Sequence, residues 1–336
     1  MVVVCKPLMH ISFSPQVHKA ASTTIFNILI RFSMSRDLNV MFPLHGNLLS
    51  ENTAELVPII PYPSSPSFRF DILCHHVVFR EAQIRPWFPD DTQYVTILRK
   101  PWAQLTSAFR YYKTVWLKSY LKEVANVSQL VENWRLVEPS DPLISYTNNR
   151  MSVDLGLPPE QMHNSSYVST FVDYIHSTFH VVLIVERFDE SLVLMKRRFR
   201  WTMKDIVYIK LNSLKQEAEA VSPEPEAKLK EKFRLFSKFD TAVYDHFVKV
   251  LENAIEEEGP MFFEELRLFT AIRKRISYFC DDKRFPEKLV VPKTRWNEPF
   301  IVHYEECIIF TMSEMELNVL TRYIQRLKMM ANSCGD

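Results

Sequence analysis

One stretch decides the fold: Val17-His18-Lys19-Ala20-Ala21-Ser22-Thr23-Thr24, followed by Ile25-Phe26-Asn27-Ile28-Leu29-Ile30-Arg31-Phe32. In its second half, apolar residues recur at helical spacing, which predicts an amphipathic helix with one buried face. Its first half is then the loop that leads into that helix, and Ile11-Ser12-Phe13 before it is typical of a strand. A strand, a basic hydroxyl-rich loop and a helix, in this order, predict a phosphate-binding site at the helix N-terminus.

The loop has the chemistry of an anion site. Ser22, Thr23 and Thr24 can cap the helix with their hydroxyl groups, and the backbone N–H groups of a first helical turn attract an anion. Lys19 adds a mobile positive charge. The loop contains no glycine, and the whole chain has only 4, which argues against a Walker-type nucleotide loop. An ordinary helix cap beside a solvated lysine explains the loop alone about equally well.

A second stretch decides between these interpretations. Tyr94-Val95-Thr96-Ile97-Leu98 is a β-branched strand, and the following Arg99-Lys100-Pro101 ends it because proline cannot continue strand pairing. The apolar spacing after Pro101 predicts a helix, and Ser107 lies about two turns into it. A guanidinium group at a strand end and a hydroxyl group on the next helix can bind one phosphate group together, with Arg99 making a bidentate contact.

The two stretches together resemble the 5′-phosphosulfate and 3′-phosphate motifs of sulfotransferases that use 3′-phosphoadenosine-5′-phosphosulfate (PAPS). The matching patterns are H-K-A-A-S-T-T at residues 18–24 and L-R-x-P-x-x-x-x-x-S-x-F-x-Y-Y at residues 98–112. The resemblance implies PAPS as cosubstrate and no metal, with Lys19 at the bridging and leaving oxygens of the donor and Arg99 and Ser107 at its 3′-phosphate. The residues implied at its 5′-phosphate are Ala20, Ala21, Ser22, Thr23 and Thr24.

Three further segments resemble the galactose-3-O-sulfotransferase family in particular. They are Asp71-Ile72-Leu73-Cys74-His75-His76, Asn148-Asn149-Arg150 with Asp154-Leu155-Gly156, and Leu183-Ile184-Val185-Glu186-Arg187-Phe188-Asp189-Glu190-Ser191-Leu192-Val193-Leu194. The family consists of Golgi type II membrane enzymes that transfer sulfate from PAPS to the 3-hydroxyl of galactose. The resemblance therefore implies a galactose-terminated glycoprotein or glycolipid as acceptor and a lumenal domain at the Golgi membrane, although this sequence shows no anchor segment.

Two histidines are candidates for the general base that deprotonates an acceptor hydroxyl. His18 is the first, because histidine exchanges protons near neutral pH and His18 adjoins Lys19. His76 is the second, at the end of a predicted strand on the same side. For His76, a packed histidine beside the sheet is the more common role.

Composition limits the alternatives. The chain has 336 residues, is 47% apolar and has a formal net charge of +1, so no global field favours nucleic acid or an anionic membrane. It contains no apolar run of the ~18 residues that a membrane-spanning helix needs. The five cysteines show no C-x-x-C spacing, which makes a zinc site improbable. Cys280 and Cys307 could form a disulfide in an oxidising lumen, or both could remain thiols.

Two other functions remain open. A small-molecule kinase would need glycines and a magnesium-binding acid after a strand, for which Glu186 is the candidate. A non-catalytic relative would bind sugar or a partner without transferring sulfate.

The sequence predicts an α/β protein with a P-loop-like sulfotransferase fold, in which helices flank a central, mostly parallel sheet. We expect a PAPS-dependent domain over residues 1–255 and a helical C-terminal extension over 256–336, packed on the same domain. Besides the strands named above, strands are expected at 38–42, 68–76, 181–185 and 205–212. Residues 113–140 are expected to be helical, 216–230 to form an exposed hinge or loop, and 281–300 to be irregular.

Overall fold

The structure is a computed structural model, and it describes residues 11–13, 17–50, 55–60, 68–210, 227–281 and 287–333. It is a mixed α/β protein in which helices predominate. In chain order the helices are α1 Ser22–Arg36, α2 Glu81–Ile84, α3 Pro101–Thr114, α4 Val127–Glu132, α5 Trp134–Val137, α6 Arg150–Asp154, α7 Val168–Thr178, α8 Phe188–Phe199, α9 Met203–Ile206, α10 Ala227–Phe236, α11 Lys238–Glu258, α12 Pro260–Asp281, α13 Tyr304–Thr311 and α14 Glu314–Ser333. Short 3₁₀ turns are found at Arg85–Trp87, Ser119–Leu121, Pro159–Gln161, Ser165–Tyr167 and Val185–Arg187.

A parallel sheet carries the predicted site at one edge. It contains β1 (Ile11–Phe13), β2 (Gln93–Leu98) and β3 (Val181–Ile184), with β2 in the centre. Both pairings are parallel, so all three strands end at the same edge. The segment with Lys19 follows β1 and Arg99 follows β2, which brings both predicted phosphate-binding segments to this edge.

Burial explains why these strands form the centre. The β2 side chains from Tyr94 to Leu98 are buried, and β3 is an apolar run that packs against α8 and α11. Parallel strands covered on both faces have this continuous apolar character. A smaller apolar cluster lies beside the main core, between α3, α4 and α10, and it includes Tyr112 and Tyr146.

Several predicted elements are shorter than expected. Only isolated bridges join Val40 to Ile72 and Leu48 to His76, so residues 38–42 and 68–76 are not full strands. Residues 113–140 do not form the predicted continuous helix. The helix α3 ends at Thr114, and a 3₁₀ turn and the separate helices α4 and α5 follow it. The Asn126 side chain accepts a hydrogen bond from the Gln129 N–H and so starts a new helix there, which interrupts the apolar pattern.

The predicted edge strand at 205–212 is wrong in its described part. Thr202 and Asp205 form a capping box that starts α9, and this local hydrogen bonding outweighs the β-branched composition of the segment. Residues 211–226 lie outside the described part of the chain, and they include most of the hinge predicted over residues 216–230.

The C-terminal region contains a hairpin where the sequence suggested irregular structure. β4 (Lys288–Val291) pairs antiparallel with β5 (Phe300–His303). Pro292 and Pro299 lie just outside these strands, so they bound the hairpin rather than prevent it. A disulfide joins Cys280 to Cys307, which confirms the pairing considered from the sequence.

The last helix packs onto the first. The Gln325 side chain of α14 accepts from the Val40 N–H and donates to the Val40 carbonyl, both at 2.9 Å, just beyond the end of α1. Among the described residues, no helix has the length and apolar character needed to cross a membrane. The domain boundary at residue 255 stays a prediction.

Gly156 provides a test of the packing beside the sheet. Its φ is +91°, and a Cβ at this position would lie 2.3 Å from the Phe79 carbonyl oxygen. We expect Gly156→Ala to lower the free energy of unfolding by about 2–4 kcal/mol, because the backbone must move as well as tolerate a left-handed residue. Gly46 is the control, since it has a φ of +64° but open space around it, and Gly46→Ala should cost only about 1 kcal/mol. Equal losses in urea unfolding would contradict this account.

Candidate functional site

The loop before α1 has an unusual backbone. Lys19 and Ala21 have φ values of +63° and +56°, in the left-handed region that non-glycine residues rarely adopt. Ala21 is the N-cap of α1 and Ser22 is its first residue, so the predicted capping by Ser22, Thr23 or Thr24 is wrong. An alanine cap has no side-chain acceptor for the first-turn N–H groups, which suits a helix end that receives an anion from outside the chain.

Three hydrogen bonds hold this loop in its strained conformation. The His18 N–H donates to Asp154 Oδ2 at 2.8 Å, and Gln104 Nε2 donates to the His18 carbonyl at 3.0 Å. Arg99 Nη1 donates to the Lys19 carbonyl at 3.0 Å. The first bond comes from α6, the second from α3 and the third from the end of β2, so separate parts of the fold impose the loop geometry.

The His18 ring is held by the buried Asp154 carboxylate, which in turn contacts Arg150. Its Nδ1 lies 3.0 Å from Oδ1 and 2.9 Å from Oδ2 of Asp154. On the other side, Arg150 Nε and Nη2 lie 2.9 and 2.7 Å from Asp154 Oδ1, and Arg150 is fully buried. Its Nη1 also donates to the Leu143 and Ser145 carbonyls.

Asp154 is ionised in this arrangement. Burial acts to raise its pKa, but Arg150 and His18 outweigh burial and lower the pKa to about 2. A carboxylate can only accept hydrogen bonds, so the Nδ1 atom of His18 carries a proton and donates a hydrogen bond to Asp154. This is the orientation that a carboxylate imposes on a catalytic histidine in hydrolase triads.

Aromatic rings surround His18. The His76 ring stacks on it with a centroid distance of 4.5 Å, and Tyr146 meets it edge-on at 5.5 Å. The structure therefore brings both predicted base candidates together. His18 contacts the Asp154 carboxylate, and His76 Nε2 lies 4.0 Å from Oε1 of Glu314.

Two cations meet at the same edge of the sheet. Lys19 Nζ lies 3.9 Å above the Tyr111 ring. Burial, and then the neighbouring Arg99, lowers the pKa of Lys19. Burial also lowers the pKa of Arg99, with Glu186 acting in the opposite direction. An anion bound here would relieve both effects, because it would compensate two partly desolvated positive charges.

Two other sequence candidates have clear positions. Ser107 lies on α3, partly exposed, and its predicted role stays a prediction. Glu186, the possible magnesium ligand of a kinase, uses both oxygens in hydrogen bonds: it accepts from the Lys100 N–H at 2.9 Å and from the Tyr244 hydroxyl at 3.0 Å. Among the described residues, no cluster of three or more histidine, cysteine or carboxylate side chains is arranged to bind a metal.

A second carboxylate, which is partly buried, supports the segment that carries Arg150. Glu138 accepts hydrogen bonds from the hydroxyl groups of Ser145, at 2.6 Å, and Thr147, at 2.5 Å. Burial raises its pKa to about 7, and the two hydroxyl groups offset part of that rise. A cavity of about 380 Å³ lies beside it, lined by Trp134, Arg135, Pro139, Asn148, Met162 and His163 among others.

The sequence analysis missed Asp154 and Glu138 as parts of the site, and it did not predict Arg150 as the partner of Asp154. Arg150 and Asp154 lie in a segment that resembles the family. Their spacing of four residues places them on one face of a helix and could have indicated an ion pair. No local pattern links Asp154 to His18, which is 136 residues away. That contact depends on the packing of α6 against the loop.

The sequence of this chain is similar to those of known proteins. A family model described as galactose-3-O-sulfotransferase matches residues 2–304. Galactose-3-O-sulfotransferase 2 of Homo sapiens is 33% identical over 279 residues, which are 82% of this chain and 68% of that protein. The Mus musculus protein of the same name is 31% identical over 258 residues, 75% of this chain and 64% of its own length. Galactosylceramide sulfotransferase of Bos taurus is 28% identical over 283 residues, 83% of this chain and 65% of its own.

No solved structure matches the chain. The chain spans about two thirds of the length of the relatives compared.

Glu138 gives the site a pH-dependent stability. An unfolded glutamate loses its proton near pH ~4.3, whereas the folded protein holds that proton to about pH 7. Between these values the unfolded state binds fewer protons, so the free energy of unfolding of the wild type falls as pH rises and then levels off. The Glu138→Gln variant lacks this titration. In urea unfolding, its free energy of unfolding minus that of the wild type should therefore increase as the pH rises from ~4.3 to ~7. Glu132→Gln, at an exposed position, is the control. If the free energy of unfolding of Glu138→Gln differed from that of the wild type by the same amount at every pH, the raised pKa of Glu138 would be contradicted.

Proposed function

The chain belongs to the galactose-3-O-sulfotransferase family, and from that premise we propose that it transfers a sulfuryl group from PAPS to the 3-hydroxyl of a galactose residue. Its relatives support a sulfotransferase activity as the general class. The donor, the position on the sugar and the acceptor are the specific parts of this proposal.

One observation carries it: the Arg99 guanidinium group contacts the carbonyl of Lys19. The two segments that resemble donor-binding motifs are 80 residues apart in the chain, yet they touch at one edge of the sheet. A donor with phosphate groups at two positions of its ribose needs two cationic contacts close together, and the closeness of Lys19 and Arg99 at this edge supports the proposal.

The residues fit the donor in charge and backbone geometry. We assign its 5′-phosphate to the helix end from Ala20 to Thr24, where the alanine cap leaves N–H groups for an outside acceptor. We assign its 3′-phosphate to Arg99 and Ser107. We propose that this arrangement is P-loop-like without glycines, and the left-handed conformations of Lys19 and Ala21 in the loop support that proposal.

PAPS supplies a sulfuryl group attached to a phosphate leaving group. His18 Nε2 takes the proton of the acceptor hydroxyl as its oxygen bonds to sulfur and the sulfur–phosphate oxygen bond breaks. Asp154 holds the ring by Nδ1 and compensates the positive charge that the ring gains. Lys19 meets the negative charge that develops on the leaving phosphate. His76 packs against His18 and helps to fix its orientation.

We propose a galactose-terminated glycoprotein or glycolipid as acceptor. One of the relatives carries the name galactosylceramide sulfotransferase, which supports a glycolipid, and others carry the name galactose-3-O-sulfotransferase. The compartment we propose is the Golgi lumen, at its membrane. The Cys280–Cys307 disulfide supports this, because such bonds persist in the oxidising secretory pathway.

Donor binding can be measured with the product nucleotide 3′,5′-ADP by calorimetry. We expect the wild type to bind it and Ser107→Ala to weaken binding about 10-fold, since one hydrogen bond to a charged group is lost. Arg99→Met should weaken binding more, because a cation is also lost. The exposed Lys122→Ala should bind like wild type. Failure of the wild type to bind would overturn the donor assignment, and ATP binding in its place would favour a kinase.

Turnover can be measured by transfer of labelled sulfate from PAPS to a panel of terminal β-galactosides. We expect His18→Ala and Lys19→Ala each to lower the rate by about 10²–10⁴-fold, since one removes the base and the other a charge at the leaving group. Lys122→Ala should be unaffected. Near-normal turnover by Lys19→Ala would refute its role, and nucleotide binding without transfer by the wild type would indicate a non-catalytic relative.

A further inference from the structure

An apolar stripe covers the outer face of α14. Its members are large apolar side chains spaced three or four residues apart and about half to two thirds exposed: Met315 52%, Val319 66%, Tyr323 61%, Leu327 48% and Met330 66%. At about 100° per residue they lie within an arc of about 120°. Scattered exposed apolar residues are ordinary, but a continuous stripe on one helix face marks an interaction surface.

The opposite face of α14 already has its partner within the chain. Leu317, Thr321 and Gln325 are buried there, and Gln325 bonds the backbone of Val40. The outer stripe is therefore not required for the contact with α1. It also lies after residue 304, the last residue that the family model matches.

Two opposite charges lie within the stripe. Glu316 is near its N-terminal end and Arg326 near its C-terminal end, and both are exposed. Oxygen Oε2 of Glu316 accepts from the Ser313 N–H and hydroxyl at the helix cap. An antiparallel copy of the helix, related by a two-fold axis level with residue 321, would place Glu316 opposite Arg326 twice. The same axis would pair Val319 with Tyr323 and Met315 with Leu327.

We propose that this stripe is the contact between two copies of this chain, which form a two-fold symmetric dimer through antiparallel α14 helices. A two-fold interface must be complementary to itself, and a helix face with acid at one end and base at the other meets that condition. A membrane-binding helix would instead carry mainly lysine and arginine around its apolar face.

The size of the surface sets the expected strength. A helix of 20 residues is about 30 Å long, so a contact confined to this helix pair falls at the low end of stable interfaces. We therefore expect a reversible dimer with a micromolar dissociation constant.

Sedimentation velocity on the purified chain over a range of concentrations tests the dimer. We expect the wild type to shift from monomer to dimer as it is concentrated to ~100 µM. Val319→Asp and Tyr323→Asp should each raise the dissociation constant at least ~100-fold, because each places a charge in the apolar centre of the contact twice. Leu136→Asp is the matched control, since Leu136 is 88% exposed on α5, and it should dimerise like wild type.

A charge exchange tests the antiparallel register. Arg326→Glu alone should weaken the dimer about 10-fold through two repulsive pairs. Glu316→Arg alone should weaken it too, and circular dichroism will separate any loss of the helix cap from loss of contact. The double variant should recover dimerisation in the register proposed.

Three results would overturn the proposal. The first is a wild type that stays monomeric at ~100 µM. The second is a dimer that survives both aspartate substitutions, and the third is a double charge variant no better than the single ones. Monomeric wild type that binds phosphatidylcholine–phosphatidylserine vesicles, and loses that binding with Val319→Asp, would assign the stripe to a membrane instead.

Discussion

The carboxylate of Asp154 is buried between the Arg150 guanidinium group and the His18 ring, and the proposed active site depends on it. It holds the backbone of the loop through the His18 N–H and the side chain through Nδ1. Arg150 stabilises the buried negative charge and is itself held by two backbone carbonyls. A buried pair of this kind adds little net stability relative to apolar residues, but removing one partner is costly. In the proposed active site the ion pair holds the His18 ring in one orientation.

The loop geometry has an energetic consequence. Lys19 and Ala21 each adopt a left-handed conformation that costs about 1 kcal/mol or more without glycine. Bonds from Asp154, Gln104 and Arg99 maintain it. Because these contacts exist before any ligand binds, the proposed donor would meet a loop already shaped and would not have to order it.

Local patterns in the sequence were sufficient for the centre of the fold. The strands at residues 11–13, 94–98 and 181–184 have strong apolar runs and were predicted nearly to the residue. The helix predicted over residues 25–32 has clear periodicity and lies within α1, which is longer at both ends. Capping groups were decisive where prediction failed: Asn126 starts α4, and the Thr202–Asp205 box starts α9 in place of a strand. Residues 38–42 and 68–76 have strand-like composition but pair only at single bridges, which depends on packing that no local pattern records.

The closeness of the two motif segments could also be predicted from the sequence. The segments with Lys19 and Arg99 lie together because each follows a strand of the same parallel sheet, and parallel strands end at one edge. This rule can be applied from the order of elements in the sequence alone. Asp154 and Glu138 could not be inferred, since their roles depend on partners brought close by packing.

The disulfide between Cys280 and Cys307 spans 27 residues and encloses the β4–β5 hairpin. In the loop-closure model, closing such a loop lowers the entropy of the unfolded chain and so raises its free energy by roughly 3–4 kcal/mol. It also makes the C-terminal helices a tethered fragment: a protease nick anywhere between the two cysteines leaves α13 and α14 covalently joined to the rest of the protein. Cleaved and intact molecules would then migrate alike until a reductant separates them.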